Sequence, residues 1–216
     1  MPDKVILSVG TKRGLFLLES NRGRAREKIT GPHLKDWAIE HAVIDTRSTP
    51  RLHVAASSNT YGSAVLSGDI AGRKLKPATT PPVAPDLNPK AKKFSTQYGL
   101  DMSKKVWFIS PGPTTQKKVL YAGTAPAGLF RSGDSGKTWV PVDGLNKHST
   151  RKDWSPGAGG QSCHSIQVDP HDPQRMYVAI SAAGSFRTDD GGRRWKPINS
   201  QVAGYMGAPK ESTVFT

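Results

Sequence analysis

The sequence predicts an all-β fold made of about four repeats of short antiparallel strands. Glycine and proline are frequent, with 22 and 17 of 216 residues, whereas apolar residues make up only 35%. This composition is typical of many strands joined by turns. The chain also repeats itself: VLYAGTAPAGLFRSGDSGKTWVPV (119–142) aligns without gaps on RMYVAISAAGSFRTDDGGRRWKPI (175–198), with nine identical positions. The identities are mostly glycines, aromatic residues and one aspartate, which are residue types of turns and cores.

Weaker copies of the same unit occur earlier in the chain. Residues 44–56 match residues 168–180, and residues 9–20 match residues 122–132. Each unit is a run of short alternating segments with a tight turn between its last two. The four units are therefore placed at 4–30, 41–78, 106–143 and 164–199.

A basic insert, residues 79–105, separates the second unit from the third. It contains one predicted helix, because Asn88 can cap a helix, Pro89 suits its first turn and Gly99 suits its end. The chain is predicted to be a single domain, residues 1–216, that carries this insert.

The stretch SGDSGKTW (132–139) is predicted to be a turn of the repeat. Asp134 can accept backbone N–H groups of its own turn, and Gly136 can supply a positive φ. Trp139 begins the next strand and can wedge between neighbouring sheets. The turn offers too few oxygen ligands for a metal ion, so it is predicted to be structural.

This S-x-D-x-G-x-T-W pattern resembles the Asp-box (BNR) repeat of sialidase-like, glycosyl-hydrolase-like β-propellers. The second copy, 188–195, matches except that Arg194 stands in place of the threonine. The resemblance implies a β-propeller of four-stranded antiparallel blades, here a shortened chain covering the first blades. It also implies that the box lies on the outer rim, away from the ligand site. The repeated aromatic residues are expected to be buried between blades, namely Tyr121, Phe130, Trp139, Tyr177, Phe186 and Trp195.

Two long crossings between units carry the candidate site residues. HLKDWAIEH (33–41) and HSTRKDWSPGAGGQSCH (148–164) both contain His, then Lys-Asp-Trp, then a second His. In a propeller such crossings line the central funnel, and polar residues repeated on loops indicate function. An alternative is that the tryptophan and the aspartate staple each crossing to its neighbour. The candidate catalytic residues are His41, His164, Asp36 and Asp153. The candidate ligand-binding residues are His33, Trp37, Asn59, Tyr61, His148, Arg151, Lys152 and Trp154.

Three functions are compatible with these residues. The favoured one is metal-assisted attack of water on a lactone or an ester, with Ca²⁺ or another divalent cation held by Asp36, Asp153 and Asn59 and a histidine activating the water. The second is a sialidase-like glycoside hydrolase, although the arginine triad and the tyrosine–glutamate pair that the resemblance implies are not found. The third is a non-catalytic propeller that binds glycans or proteins.

Composition limits the partners. A net charge of +14 favours an anionic small-molecule or glycan ligand, and no nucleic-acid-binding motif accompanies the charge. No apolar run reaches the ~18 residues of a membrane helix. A lone Cys163 and no visible secretory signal predict a cytoplasmic protein. The first unit lacks an innermost strand, so either residues 212–216 close the ring or, as favoured here, a second copy forms a homodimer.

Overall fold

Each repeat folds into one antiparallel sheet, because its apolar residues alternate with polar ones between glycine-rich turns. The computed structural model describes residues 4–24, 27–100, 102–157 and 159–199. The first sheet has three strands, and the other three have four strands each. In chain order the strands are β1 (Lys4–Thr11), β2 (Gly14–Asn21), β3 (Glu27–His33), β4 (Ala38–Asp45), β5 (Arg51–Ser58), β6 (Gly62–Asp69), β7 (Lys76–Pro77), β8 (Lys105–Pro111), β9 (Leu120–Ala125), β10 (Gly128–Ser132), β11 (Val140–Pro141), β12 (Cys163–Val168), β13 (Met176–Ile180), β14 (Gly184–Thr188) and β15 (Lys196–Pro197).

The four sheets are the blades of a β-propeller. Strands follow one another within each sheet in chain order, so every blade is a meander. The first strands of blades 2, 3 and 4, which are β4, β8 and β12, pack side by side around the axis. The predicted all-β propeller of about four blades is therefore confirmed.

Blade 1 lacks an innermost strand among the described residues, as the sequence predicts. Strand β1 packs against β4 in the same way as β5 packs against β8 and β9 packs against β12. It therefore occupies the second position of its blade, and its inner edge, which faces the propeller axis, has no partner strand in the described part of the chain. The segment 212–216, predicted as one way of closing the ring, lies outside the described residues.

The core consists of three apolar layers, one between each pair of neighbouring blades. Five of the six repeated aromatic residues are buried in these layers, as predicted: Tyr121, Phe130, Trp139, Phe186 and Trp195. The prediction was wrong for Tyr177, which is only half-buried. Its counterpart Tyr121 packs against blade 4, whereas no described blade covers the equivalent face of blade 4.

The SGDSGKTW stretch is a hydrogen-bonded turn, as predicted. Asp134 Oδ1 accepts bonds from the backbone N–H groups of Lys137 and Thr138, each 3.0 Å long, and from the Ser132 hydroxyl at 2.8 Å. The Trp139 Nε1–H donates to the Gly136 carbonyl at 3.1 Å. Three of these bonds recur in the second copy, where Arg194 replaces the threonine. The aspartate and the tryptophan N–H of the turn therefore hold its shape.

Three helical segments connect the blades. Helix α1 (Pro89–Gln97) lies in the basic insert, and Asn88 Oδ1 caps it by accepting from the Ala91 N–H at 2.8 Å, as predicted. Helix α2 (Asp143–Asn146) and a 3₁₀ helix (Ser149–Asp153) lie in the crossing to blade 4. Within the described ranges, no helix has the length and apolar character needed to span a membrane.

Candidate ligand-binding groove

A cleft opens at the face of the propeller where the innermost strands begin. The β1–β2 and β5–β6 hairpin turns and the crossings that lead into β4 and β8 all reach this face. The cleft has a volume of about 590 Å³, within the range of small-molecule and sugar sites. Its lining residues are Lys12, Lys35, Asp36, Trp37, Ala38, Ser57, Ser58, Asn59, Thr60, Tyr61, Gly62, Ser103, Lys104 and Lys105.

Two aromatic rings form one wall of the cleft. Trp37 and Tyr61 stack with their ring centroids 5.9 Å apart and their planes within 7° of parallel. Tyr61 is 76% exposed, which leaves much of its ring available to a ligand. The Asp36 N–H donates to the Arg13 carbonyl at 3.4 Å and ties this crossing to the β1–β2 turn. This contact helps to hold the crossing beside the hairpin that carries Lys12.

A smaller hollow of about 240 Å³ continues the cleft toward blade 4. Ser103 and Lys105 line both, so cleft and hollow are adjacent, and together they are called the groove. In the hollow, Lys105 Nζ lies 4.8 Å from the centre of the Trp107 ring. Gln161 is only 3% exposed, and its Nε2 has no hydrogen-bond partner among the described residues. The hollow therefore contains a cation, an aromatic face and an unused amide donor.

The innermost strands share a β-bulge at one repeat position. Glu40 in β4, Trp107 in β8 and His164 in β12 are each skipped in the pairing with the second strand. The three bulges lie at equivalent positions of the repeat. They fall opposite Ala56, Thr124 and Ile180, and these three residues align with one another in the repeats. Bulges redirect side chains and are frequent beside functional sites. The three blades thus place an acid, an aromatic ring and an imidazole at equivalent points.

Glu40 is a candidate functional residue that the sequence reasoning missed. The Ser57 hydroxyl donates to Glu40 Oε1 at 2.7 Å, and Lys105 Nζ lies 3.5 Å from the same oxygen. A glutamate within the strand-like segment AIEHAVID was the available signal. The sequence does not reveal the bulge, however, and without that knowledge the alternation of the strand does not show which face Glu40 occupies.

Four predicted site residues come together in the cleft: Asp36, Trp37, Asn59 and Tyr61. They come from the first crossing and the β5–β6 turn. His164 lies on the innermost strand of blade 4 and is exposed. The prediction that the funnel face carries polar and aromatic ligand-binding groups is consistent with this arrangement.

The other predicted histidines make structural contacts. His33 Nε2 lies 3.3 Å from Thr30 Oγ1, and His148 Nε2 lies 3.2 Å from the carbonyl oxygen of Trp195. The His41 ring packs 4.2 Å from Phe108, and burial lowers the pKa of this imidazole. These three histidines therefore make contacts within the protein and do not line the groove.

The second crossing does not reproduce the first. Trp154 is 1% exposed and packs against Phe186, with ring centroids 5.5 Å apart, so it is a core residue. The Arg151 guanidinium donates to the Ala127 carbonyl at 3.0 Å. Lys152 and Asp153 are exposed on the 3₁₀ helix. None of these four side chains lines the groove.

The predicted cation ligands are not assembled in one place. Asp36 and Asn59 line the cleft, whereas Asp153 does not. The three side-chain oxygens of Asp36 and Asn59 are far fewer than the six to eight ligands that Ca²⁺ takes. In the described part of the chain, no group of three or more His, Cys, Asp or Glu residues is placed to hold a metal ion. No catalytic step is therefore derived through a metal.

Fold and groove together define a β-propeller with a polar and aromatic site on its funnel face. Comparison with solved structures finds similar propellers. A GH74 xyloglucanase from Xanthomonas campestris is 14% identical with a TM-score of 0.59, and the match covers 89% of this chain and 27% of that one. YCF48 from Cyanidioschyzon merolae is 14% identical with a TM-score of 0.52, covering 88% of this chain and 52% of that one. At these identities the likeness shows the fold alone.

One curated protein is similar over part of the sequence. A probable oligoxyloglucan-reducing end-specific xyloglucanase of Neosartorya fischeri is 32% identical over 83 residues, which is 38% of this chain and 9% of that protein. The chain thus spans less than a tenth of its curated relative. No family model matches the sequence. The comparisons support a propeller with xyloglucanase-like relatives and give no support for membership of the Asp-box family.

Proposed function

We propose that this propeller binds an extended sugar chain in the groove. The observation that carries the proposal is the pair of aromatic surfaces, Trp37 with Tyr61 in the cleft and Trp107 in the hollow, with polar groups between them. Sugar rings present apolar faces that pack on aromatic rings, and their hydroxyls need nearby hydrogen-bonding groups. The similarity to xyloglucanases supports a carbohydrate ligand.

Binding of oligosaccharides to the purified protein tests this proposal. Isothermal titration with a panel of xyloglucan, galactan and uronate oligosaccharides should give binding with at least one of them. Trp37→Ala and Tyr61→Ala are each expected to weaken it about tenfold, which corresponds to ~1.4 kcal/mol. Tyr98→Ala is the matched control, because Tyr98 is 59% exposed but lies outside the groove. Equal losses in the control and the groove variants, or no binding at all, would refute the proposal.

Glycoside hydrolysis is a second candidate, favoured by two carboxylates on neighbouring elements. Asp36 lines the cleft, and Glu40 lies on the strand that begins just after it, held by Ser57 and Lys105. Glycosidases commonly work with two carboxyl groups, one as acid and one as base or nucleophile. If the protein is such an enzyme, Asp36→Asn and Glu40→Gln should each lower release of reducing ends at least 100-fold while sugar binding persists. Binding without turnover on any substrate would identify a non-catalytic module.

Hydrolysis of a lactone or an ester stays a prediction from the sequence. Its proposed histidines and carboxylates are spread over four places: the cleft, the contact between β4 and β8, the crossing to blade 4, and the innermost strand of blade 4. Lactones and aryl esters belong in the same substrate panel, measured with and without a chelator. Turnover of a lactone or an ester that a chelator abolishes would favour metal-assisted hydrolysis over sugar binding and glycoside hydrolysis.

We also propose that the open end of blade 1 pairs with a second copy of the chain. Its uncovered face carries Val5 and Leu7, which are 47% and 57% exposed, beside the unpaired edge of β1. The opposite open end, at blade 4, carries Tyr177 and Arg187 and is more polar. The blade 1 end is apolar and the blade 4 end is more polar. The blade 1 end is therefore better matched by the blade 1 end of a second copy than by its blade 4 end. Such pairing around a twofold axis gives a closed dimer.

A further inference from the structure

We infer that the hollow recognises a carboxylate carried by a sugar, so that the groove prefers a uronate-containing oligosaccharide to a neutral one. The inference rests on the proposed sugar-binding function and specifies its ligand. It depends on three groups that line the hollow: Gln161, Lys105 and Trp107.

Gln161 supplies a buried donor that is unpaired within the described residues. Its side chain is 3% exposed and lines the hollow, while Nε2 has no partner in the described part of the chain. Buried amide donors are nearly always paired, so an unpaired one at the wall of a hollow indicates a ligand acceptor. A carboxylate oxygen or a sugar hydroxyl can fill that role.

Lys105 distinguishes between these two acceptors. Its ammonium lies over the Trp107 ring at 4.8 Å and makes only a loose contact with Glu40, at 3.5 Å. A hydrogen bond from an ammonium to a carboxylate is roughly twice as strong as one between neutral groups. A carboxylate can bind Lys105 and Gln161 together, while the sugar ring that bears it packs on Trp107. A neutral hydroxyl gains much less from Lys105.

The charges of the cleft favour the same class of ligand. Lys12, Lys35 and Lys104 line it in addition to Lys105, against one acid, Asp36. Within the described residues, neither Lys12 nor Lys35 forms an ion pair. A chain with a carboxylate on every sugar would meet a cation in both parts of the groove. Its binding should therefore weaken as salt screens these charges.

Glu40 opposes such a ligand and provides a sharp test. Its carboxylate shares Lys105 with the incoming anion, so the two negative groups compete for one ammonium. Replacing it by glutamine removes this repulsion and leaves Lys105 to the ligand. Glu40→Gln should therefore strengthen the binding of a uronate oligosaccharide about threefold or more relative to that of a neutral one. A merely structural role for Glu40 would not produce this difference between ligands.

The decisive experiment compares an oligogalacturonate with its carboxyl-reduced, neutral counterpart of equal length. Calorimetric titration of the full chain should give at least tenfold tighter binding of the oligogalacturonate, and the preference should shrink at high salt. Lys105→Gln and Gln161→Leu should each reduce the preference at least fivefold. Gln161→Glu keeps the size of the buried side chain and places a repelling charge in the hollow, so it covers the case in which the leucine variant does not fold. Lys93→Gln on helix α1 is the control for charge alone, since Lys93 is exposed and outside the groove.

The outcomes separate this inference from the proposed function. Equal, salt-independent binding of both oligosaccharides would overturn the carboxylate preference and leave sugar binding intact. No binding of either, together with none in the wider panel, would remove the proposed function itself. An equal loss in Lys93→Gln and Lys105→Gln would show unspecific attraction by the basic surface, which also overturns the inference.

Discussion

Trp139 closes the turn at residues 132–139, and its replacement by alanine should destabilise the protein without affecting ligand binding. The side chain is 3% exposed, lies in the layer between blades 2 and 3, and donates from Nε1 to Gly136. A tryptophan buries roughly 150–250 Å², which at ~25 cal/mol per Å² is about 4–6 kcal/mol as an upper bound. Measured Trp→Ala losses are about 3–5 kcal/mol. We therefore expect Trp139→Ala to lower the free energy of unfolding by about 4 kcal/mol.

Urea unfolding followed by circular dichroism measures this change. With a slope of ~2 kcal/mol per molar urea, the midpoint should fall by about 2 M. Val140→Ala is the control, because Val140 is 58% exposed and should cost no more than about 0.5 kcal/mol. Trp139→Phe retains part of the packing and should fall between the two. A loss below about 1 kcal/mol, or weaker sugar binding by a folded Trp139→Ala protein, would refute the structural reading of the turn.

Further predictions concern acid stability, thiol reactivity, assembly and cation dependence. Although burial raises the pKa of Asp134, hydrogen bonds from Thr138, Ser132 and Lys137 lower it to about 2, below the ~3.9 of an unfolded chain. Its stabilisation is therefore present above pH ~4 and lost as the pH falls through the folded value, so Asp134→Asn should lose less stability than the parent protein between pH 5 and 2 in urea titrations. Burial raises the pKa of the Cys163 thiol to about 12, so a thiol reagent at pH 8 should react only after denaturant is added; modification of the native protein would contradict this burial. Light scattering at low micromolar concentration should give a dimer that Leu7→Lys converts to a monomer, and a monomeric parent protein would exclude the pairing through blade 1. The sequence-based prediction of a catalytic cation is tested by adding EDTA to the hydrolase assays: loss of turnover would support it, and unchanged turnover would exclude it.

The fold could be predicted because its determinants are local and repeated. Ser132, Asp134 and Gly136 satisfy one another within a single turn, so their spacing alone specifies the geometry. The cap of helix α1 is equally local, with Asn88 and Ala91 three residues apart. In each case the interacting groups are neighbours in sequence, and a pattern of residue types is sufficient.

The groove was only partly predictable because it depends on contacts between distant residues. Trp37 and Trp154 follow the same Lys-Asp dipeptide, yet one lines the cleft and the other is buried. The difference arises from the partners of the second crossing: Asn88 Nδ2 in the insert donates to the carbonyls of Arg151 and Trp154, and Phe186 of blade 4 packs on the indole. At the first crossing, the insert residues Ser103 and Lys104 line the cleft together with Trp37. The same tripeptide, Lys-Asp-Trp, therefore takes different positions in the fold.

The bulge repeated in β4, β8 and β12 provides a position whose side chain is not needed for strand pairing and is available for other contacts. Each bulged residue is left out of the strand pairing, so its identity contributes little to the register of its blade. Glutamate, tryptophan and histidine occupy these equivalent positions in one chain, which shows that the same backbone accepts an acid, a large ring and an imidazole. The residue type at this point varies from blade to blade without a change in strand pairing. Of the three bulged residues, Trp107 lines the groove, so a bulge can carry a recognition group that takes no part in strand pairing.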